Sequence, residues 1–149
     1  MPPATAQPGP ADAEMWNRVL SLYARVENRL GAALQRRHGL GLSEYRALGH
    51  LVAAPGNELR MQELAGRLGL NQSSVTRLVG RLNAADLTFR DLCPDDKRGA
   101  YTVLKDAGRT RHEEARATYE ETLTAVLDEA AEADPAAAAL VRAVRGGPA

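Results

Sequence analysis

The chain of 149 residues and 16.0 kDa has the length of one ordinary domain, and its 44% hydrophobic and 26% charged residues match a globular protein. Its 19 Lys and Arg balance 19 Asp and Glu, which excludes a histone-like polycation, and its single Cys excludes an intramolecular disulfide framework and a multi-Cys zinc site. No apolar run approaches the roughly 18 residues that a membrane span needs, and no basic segment precedes an apolar stretch at the N-terminus, so a cytoplasmic protein is expected.

Residues 1–12 hold four prolines and almost no large apolar side chain, and are expected to form a flexible leader to a single domain over 13–149. From Ala13, the residues Trp16, Val19, Leu20, Tyr23, Val26, Leu30, Ala33 and Leu34 recur at spacings of three and four, one apolar stripe on a long helix ended by Gly39 and Gly41. Such a stripe exceeds what a small domain needs internally, so part of it is expected to meet a second subunit. Ser43 is the expected N-cap of a second helix bearing Tyr45, Leu48, Leu51 and Val52, stopped by Pro55-Gly56. A third helix is expected over Met61–Leu68. A fourth, after the N-cap Asn71, places Val75, Leu78, Val79 and Leu82 inward. Leu87–Leu92 and Ala100–Leu104 are short and rich in β-formers, with a turn-rich CPDDKRG between them, and read as a β-hairpin. Asp106 to about Ala133 is again helical, with Ala115, Tyr119, Leu123, Val126, Leu127 and Ala130 inward; Asp134-Pro135 opens a last helix.

The informative stretch is QELAGRLGLNQSSVTRLVGRL, residues 62–82. Ala65 is small enough for two helices to cross closely. Gly69 tolerates the positive φ of a tight turn, and Val75 anchors the second helix on the first. This is helix-turn-helix spacing, whose second helix enters the major groove. Its outward residues Gln72, Ser73, Ser74, Thr76, Arg77 and Arg81 are short or cationic hydrogen-bonders suited to base edges and phosphates. An ordinary helical hairpin with a polar solvent face is the plain alternative. The β-hairpin that follows lowers it, because a helix-turn-helix with a hairpin is a winged helix. The hairpin tip carries Asp96, Lys97 and Arg98; a tip Arg suits the electronegative minor groove, and an acid two positions earlier can orient it. The fold class expected is therefore mainly α with a small β-hairpin wing, the winged helix-turn-helix spanning 43–104.

The segments LSEYRALGHL (42–51), MQELAGRLGLNQSSVTRLVGRL (61–82) and LTFRDLCPDDKRGAYTVLKDAGR (87–109), with the flanking long helices, resemble the MarR family of winged-helix transcription regulators. The wing residues Arg90, Pro94, Asp96, Arg98 and Ala107-Gly108-Arg109 carry much of the likeness. The resemblance implies a homodimer whose N- and C-terminal helices, 13–38 and 106–146, interlock, so that two winged helices address double-stranded DNA at a pseudo-palindromic operator. It also implies a repressor released by a small, often aromatic anionic, effector bound between the dimerisation helices and the winged helix. Trp16, Tyr23, Arg46 and His50 are the candidate lining of that pocket, since aromatic faces with cations suit such a ligand; ordinary core or interface packing is the alternative for the aromatics.

Other signals are weaker. Cys93 has cations near it in sequence but also Asp95 and Asp96, so no thiol switch is expected. His38, His50 and His112 lack a metal-ligand spacing, and no cofactor is implied. No nucleophile–base set or phosphate loop suggests an enzyme. The competing functional class is a winged-helix protein–protein module without DNA binding, which acidic or apolar replacements on the recognition face would signal. Charge is polarised beneath its neutral sum: residues 113–134 hold eight acidic side chains and one basic one, whereas residues 15–50 hold six basic and two acidic. Recognition must then rest on the placement of a few Arg residues rather than on bulk charge.

Overall fold

The computed structural model describes residues 10–92 and 100–146. In chain order it contains α1 (Pro10–His38), α2 (Leu42–Ala53), a 3-10 turn (Pro55–Asn57), β1 (Glu58–Arg60), α3 (Met61–Leu68), α4 (Gln72–Ala84), β2 (Thr88–Asp91), β3 (Tyr101–Leu104), α5 (Asp106–Ala133) and α6 (Pro135–Val144). Two compact units divide the chain. One takes the residues up to Leu30 and those from Glu121 onward; the other takes Gly31–Glu120.

The second unit is the winged helix. Its core gathers Leu34, Leu40, Leu48, Leu51, Leu64, Val75, Leu78 and Leu82, each 1% exposed or less. The apolar positions expected from periodicity in α2, α3 and α4 supply most of it. Among the described residues the sheet has three antiparallel strands in the order β1-β3-β2, with Leu59 opposite Thr102 and Arg90 opposite Thr102 on the other side. The two-stranded hairpin expected from sequence is thus extended by β1. Glu58-Leu59-Arg60 is too short to show an alternating pattern, and pairing with β3 alone makes it a strand. Gly56 and Asn57, at φ 68° and 54°, turn the chain into it.

Two boundaries differ from the sequence expectation. The leader expected over 1–12 gives way to helix at Pro10, because Pro is compatible with a first helical turn and Asp12 favours the positive end of the helix dipole. The expected Ser43 cap is replaced by Gly41. The Glu44 carboxylate accepts the Gly41 N–H at 3.2 Å, so Ser43 falls inside α2. Asn71 caps α4 as expected, its Oδ1 accepting the Ser74 N–H at 2.9 Å.

In the first unit, Val126, Ala130 and Val141 are buried, while Met15, Trp16, Leu20 and Tyr23 on α1 are 46–59% exposed. Arg29 forms a two-pronged ion pair with Glu129, at 2.7 and 3.2 Å. Among the described residues no helix is long and apolar enough to cross a membrane.

Candidate nucleic-acid interface

The turn between α3 and α4 is built by small residues. Gly69 lies at φ 66°, ψ 30° and closes α3 by donating to the Ala65 and Gly66 carbonyls. Leu70 then donates to Ala65 O at 3.0 Å, a pattern that only a left-handed residue at position 69 permits. Ala65, 9% exposed, and Val75, fully buried, sit at the helix crossing. With Val75, Leu78, Val79 and Leu82 turned inward, α4 must present Gln72, Ser73, Thr76, Arg77 and Arg81 to solvent, and all five are exposed; Ser74 is half-buried.

These outward side chains are not equally free. Ser73 Oγ donates to Asn71 Oδ1 at 3.0 Å, and Thr76 Oγ1 donates to the Gln72 carbonyl at 2.8 Å. Both hydroxyl protons are thereby spent on the helix, which leaves acceptor lone pairs and, at Thr76, a methyl group facing outward. Arg81 Nε donates to Glu44 Oε1 at 3.2 Å across to the start of α2. Glu44 was not singled out from sequence, although its position three residues after Gly41 is the spacing of a helix-capping acid.

Between α4 and the sheet lies a groove of about 440 Å³, lined by Gln72, Thr76, Gly80 and Asn83 from the helix and by Arg60, Arg90 and Thr102 from the strands. The sheet wall is held by two contacts. Thr88 Oγ1 donates to Asn83 Oδ1 at 2.6 Å, and Arg60 Nε donates to Tyr101 Oη at 3.0 Å, with its guanidinium 5.3 Å from that ring. Asp96, Lys97, Arg98 and Cys93 lie outside the described residues.

The four candidate ligand residues fall in different units. Trp16 and Tyr23, 57% and 59% exposed, belong to the first; Arg46 and His50 belong to the second. Sequence reasoning missed the aromatic stack beside Arg46. Tyr45 lies 4.7 Å from the His112 ring at 17° and 4.6 Å from Tyr119 at 25°, and the Arg46 guanidinium carbon is 5.9 Å from the Tyr119 centroid. The stacking links α2 to α5, two elements far apart in sequence, so no local pattern signals it. Burial pushes the His112 imidazole below its usual pKa, with Glu113 opposing; burial and then Arg67 do the same to His50. Burial raises the Tyr45 phenol. Among the described residues no three His, Cys, Asp or Glu side chains cluster to hold a metal ion.

This geometry has known counterparts. The model of the MarR family matches residues 38–99, a segment that begins at the end of α1 and stops before β3. Sco3205, a MarR family transcriptional regulator from Streptomyces coelicolor solved in complex with DNA, is 25% identical over 94% of this chain and 89% of its own, with a TM-score of 0.74. Over residues 38–99 the chain is similar to the MarR family. AbsC, another Streptomyces coelicolor MarR regulator, shares the fold at a TM-score of 0.72, with 22% identity over 95% of this chain and 99% of its own. CouR from Rhodococcus jostii RHA1, solved with p-coumaroyl-CoA bound, is 25% identical over 71% of each chain at a TM-score of 0.59. No curated protein matches the chain.

Within this chain the Ala107-Gly108-Arg109 signature has a structural cause. A Cβ on Gly108 would lie 2.3 Å from Leu87 O and 2.8 Å from Leu104 Cδ1, so α5 can pack against the strand ends only through glycine. The Arg109 guanidinium donates to Asn57 Oδ1 at 2.7 Å, and Asn57 Nδ2 in turn donates to the last carbonyls of α2, Leu51 O and Val52 O, at 3.2 and 3.0 Å.

Proposed function

We propose that this chain is a homodimeric, sequence-specific DNA-binding repressor acting in the cytoplasm and released by a small aromatic anion. The observation that carries the reading is the solvent face of α4, where Gln72, Ser73, Thr76 and Arg77 project from a capped helix held by a glycine turn, with Ser74 half-buried beside them. Gln suits adenine edges, Arg suits guanine or phosphate, and the helix N-terminus favours phosphate. Arg77 and Arg81 are assigned to the DNA, and Arg98, oriented by Asp96, with Lys97 beside it, to the minor groove and backbone on sequence grounds. The apolar side chains exposed on α1 support a second copy as partner, and two copies related by a two-fold axis match a pseudo-palindromic operator. Arg46 and His50, with the Tyr45–His112–Tyr119 stack as an aromatic wall, are the proposed effector lining within the second unit; the sequence candidates Trp16 and Tyr23 belong to the first unit. The aromatic ligand of CouR is in keeping with that chemistry.

The test is selection of bound duplexes from a random pool by the full-length protein, then affinity measured against salt. Arg98→Ala should weaken binding by about 1–3 kcal/mol, and Arg77→Ala should reduce the log–log salt slope by about one. An absence of any selected sequence would leave the protein–protein module as the better reading. Release of the selected duplex by phenolic carboxylates, and its loss in Arg46→Ala, tests the effector.

A further inference from the structure

Arg81 and Glu44 form an ion pair that does little for stability. The Arg81 side chain is 57% exposed and that of Glu44 22%, so water screens the attraction. The pair nevertheless has a defined construction. Glu44 Oε2 accepts the Gly41 N–H at 3.2 Å, while Oε1 accepts Arg81 Nε at 3.2 Å. One carboxylate is thus pinned at the first turn of α2 and reaches across to the C-terminal half of α4. Gly41 makes room for it: a Cβ there would stand 3.3 Å from Glu44 Cδ and 3.4 Å from Oε1. The hydrogen bond takes the Nε edge of the guanidinium, which leaves the terminal nitrogens as donors for another anion.

Long Arg side chains lose rotamer freedom when they meet a phosphate, and a second contact that already fixes the side chain removes part of that loss. We propose that Glu44 is a positioning residue for DNA binding: it holds Arg81 by the Nε edge so that the terminal nitrogens are presented to a phosphate of the duplex. The inference rests on the DNA-binding reading above. Glu44 itself does not touch DNA in it, and its negative charge is offset by the guanidinium it orients.

The test is a double-mutant cycle on the full-length protein with a duplex selected from a random pool. Glu44→Gln is the informative variant. A glutamine can still accept the Gly41 N–H, so the cap and the thermal midpoint should be unchanged. With its one acceptor oxygen on that N–H, its amide nitrogen faces Nε and cannot accept from it. Binding should weaken roughly threefold to tenfold in the Glu44→Gln protein, and the same change made on top of Arg81→Ala should cost nothing further. Arg81→Lys should also abolish the effect of Glu44→Gln, because an ammonium has no Nε edge to hold. Tighter binding by Glu44→Gln would overturn the proposal, since Glu44 would then restrain Arg81 from the phosphate. Equal losses with and without Arg81, or no effect of Arg81→Ala at all, would also overturn it. A wild-type protein that selects no duplex would instead sink the DNA-binding reading on which the proposal stands, so the two failures are separable.

Discussion

Glycines at different places in this chain do opposite things, and the space around each decides the sign. At Gly108 a Cβ would collide with the Leu87 carbonyl at 2.3 Å, and a backbone oxygen cannot step aside as a side-chain tip can. Gly108→Ala should therefore destabilise the winged helix by about 1–3 kcal/mol, read as a lower urea midpoint. Gly80 sits on the exposed face of α4, where an added methyl would meet nothing within 4 Å, and its φ is not positive. There Ala recovers helix propensity, and Gly80→Ala should raise stability by about 0.5–1 kcal/mol. A raised midpoint in Gly108→Ala would mean that the contact at Leu87 does not constrain α5, and a lowered one in Gly80→Ala that the outer face of α4 is not free.

Helices α2 and α5 meet through the Tyr45–His112–Tyr119 stack, and this contact makes stability depend on pH. Burial holds the folded His112 and His50 below the usual 6.5, so the unfolded chain takes up protons first as pH falls. Stability is then full above about pH 6.5 and declines below it, because the unfolded state binds more protons there. His112→Phe keeps a ring against Tyr45 and removes one of the two titrations; thermal midpoints should fall less steeply between pH 7 and pH 5 than in the parent. An identical slope would assign the dependence to His50 or to carboxylates. The N-terminus of α4 offers a second check at this scale: Asn71→Ala should cost about 1 kcal/mol, since the Ser74 N–H loses its acceptor.

For the whole molecule the expectation concerns assembly. Met15, Trp16, Leu20 and Tyr23 leave an apolar strip on α1 in the first unit, and Val144 on α6 is 68% exposed. Strips of this kind mark association surfaces. Sedimentation at micromolar concentration should give twice the 16.0 kDa chain mass, and Trp16→Glu with Leu20→Glu should return it to the chain mass and weaken duplex binding. A wild-type protein that sediments as a monomer would remove the two-fold operator from the mechanism.

Much of this was written in the sequence because it is local. Ala65, Gly69, Asn71 and Val75 declare the helix-turn-helix at short range: a small residue, a left-handed turn, a cap and an anchor lie within eleven positions of one another. The periodicity of Val75, Leu78, Val79 and Leu82 fixes which face of α4 looks outward. What the sequence could not disclose depends on residues distant in the chain. β1 is a strand because β3 pairs with it, and Tyr45, His112 and Tyr119 become one stack only when α5 returns to α2. The partner of Arg81 belongs with these. Periodicity places an arginine on the outer face of a helix, but only the packing of α2 beside α4 brings a carboxylate within 3.2 Å of its Nε, since that distance is set by tertiary contact and not by spacing along the chain.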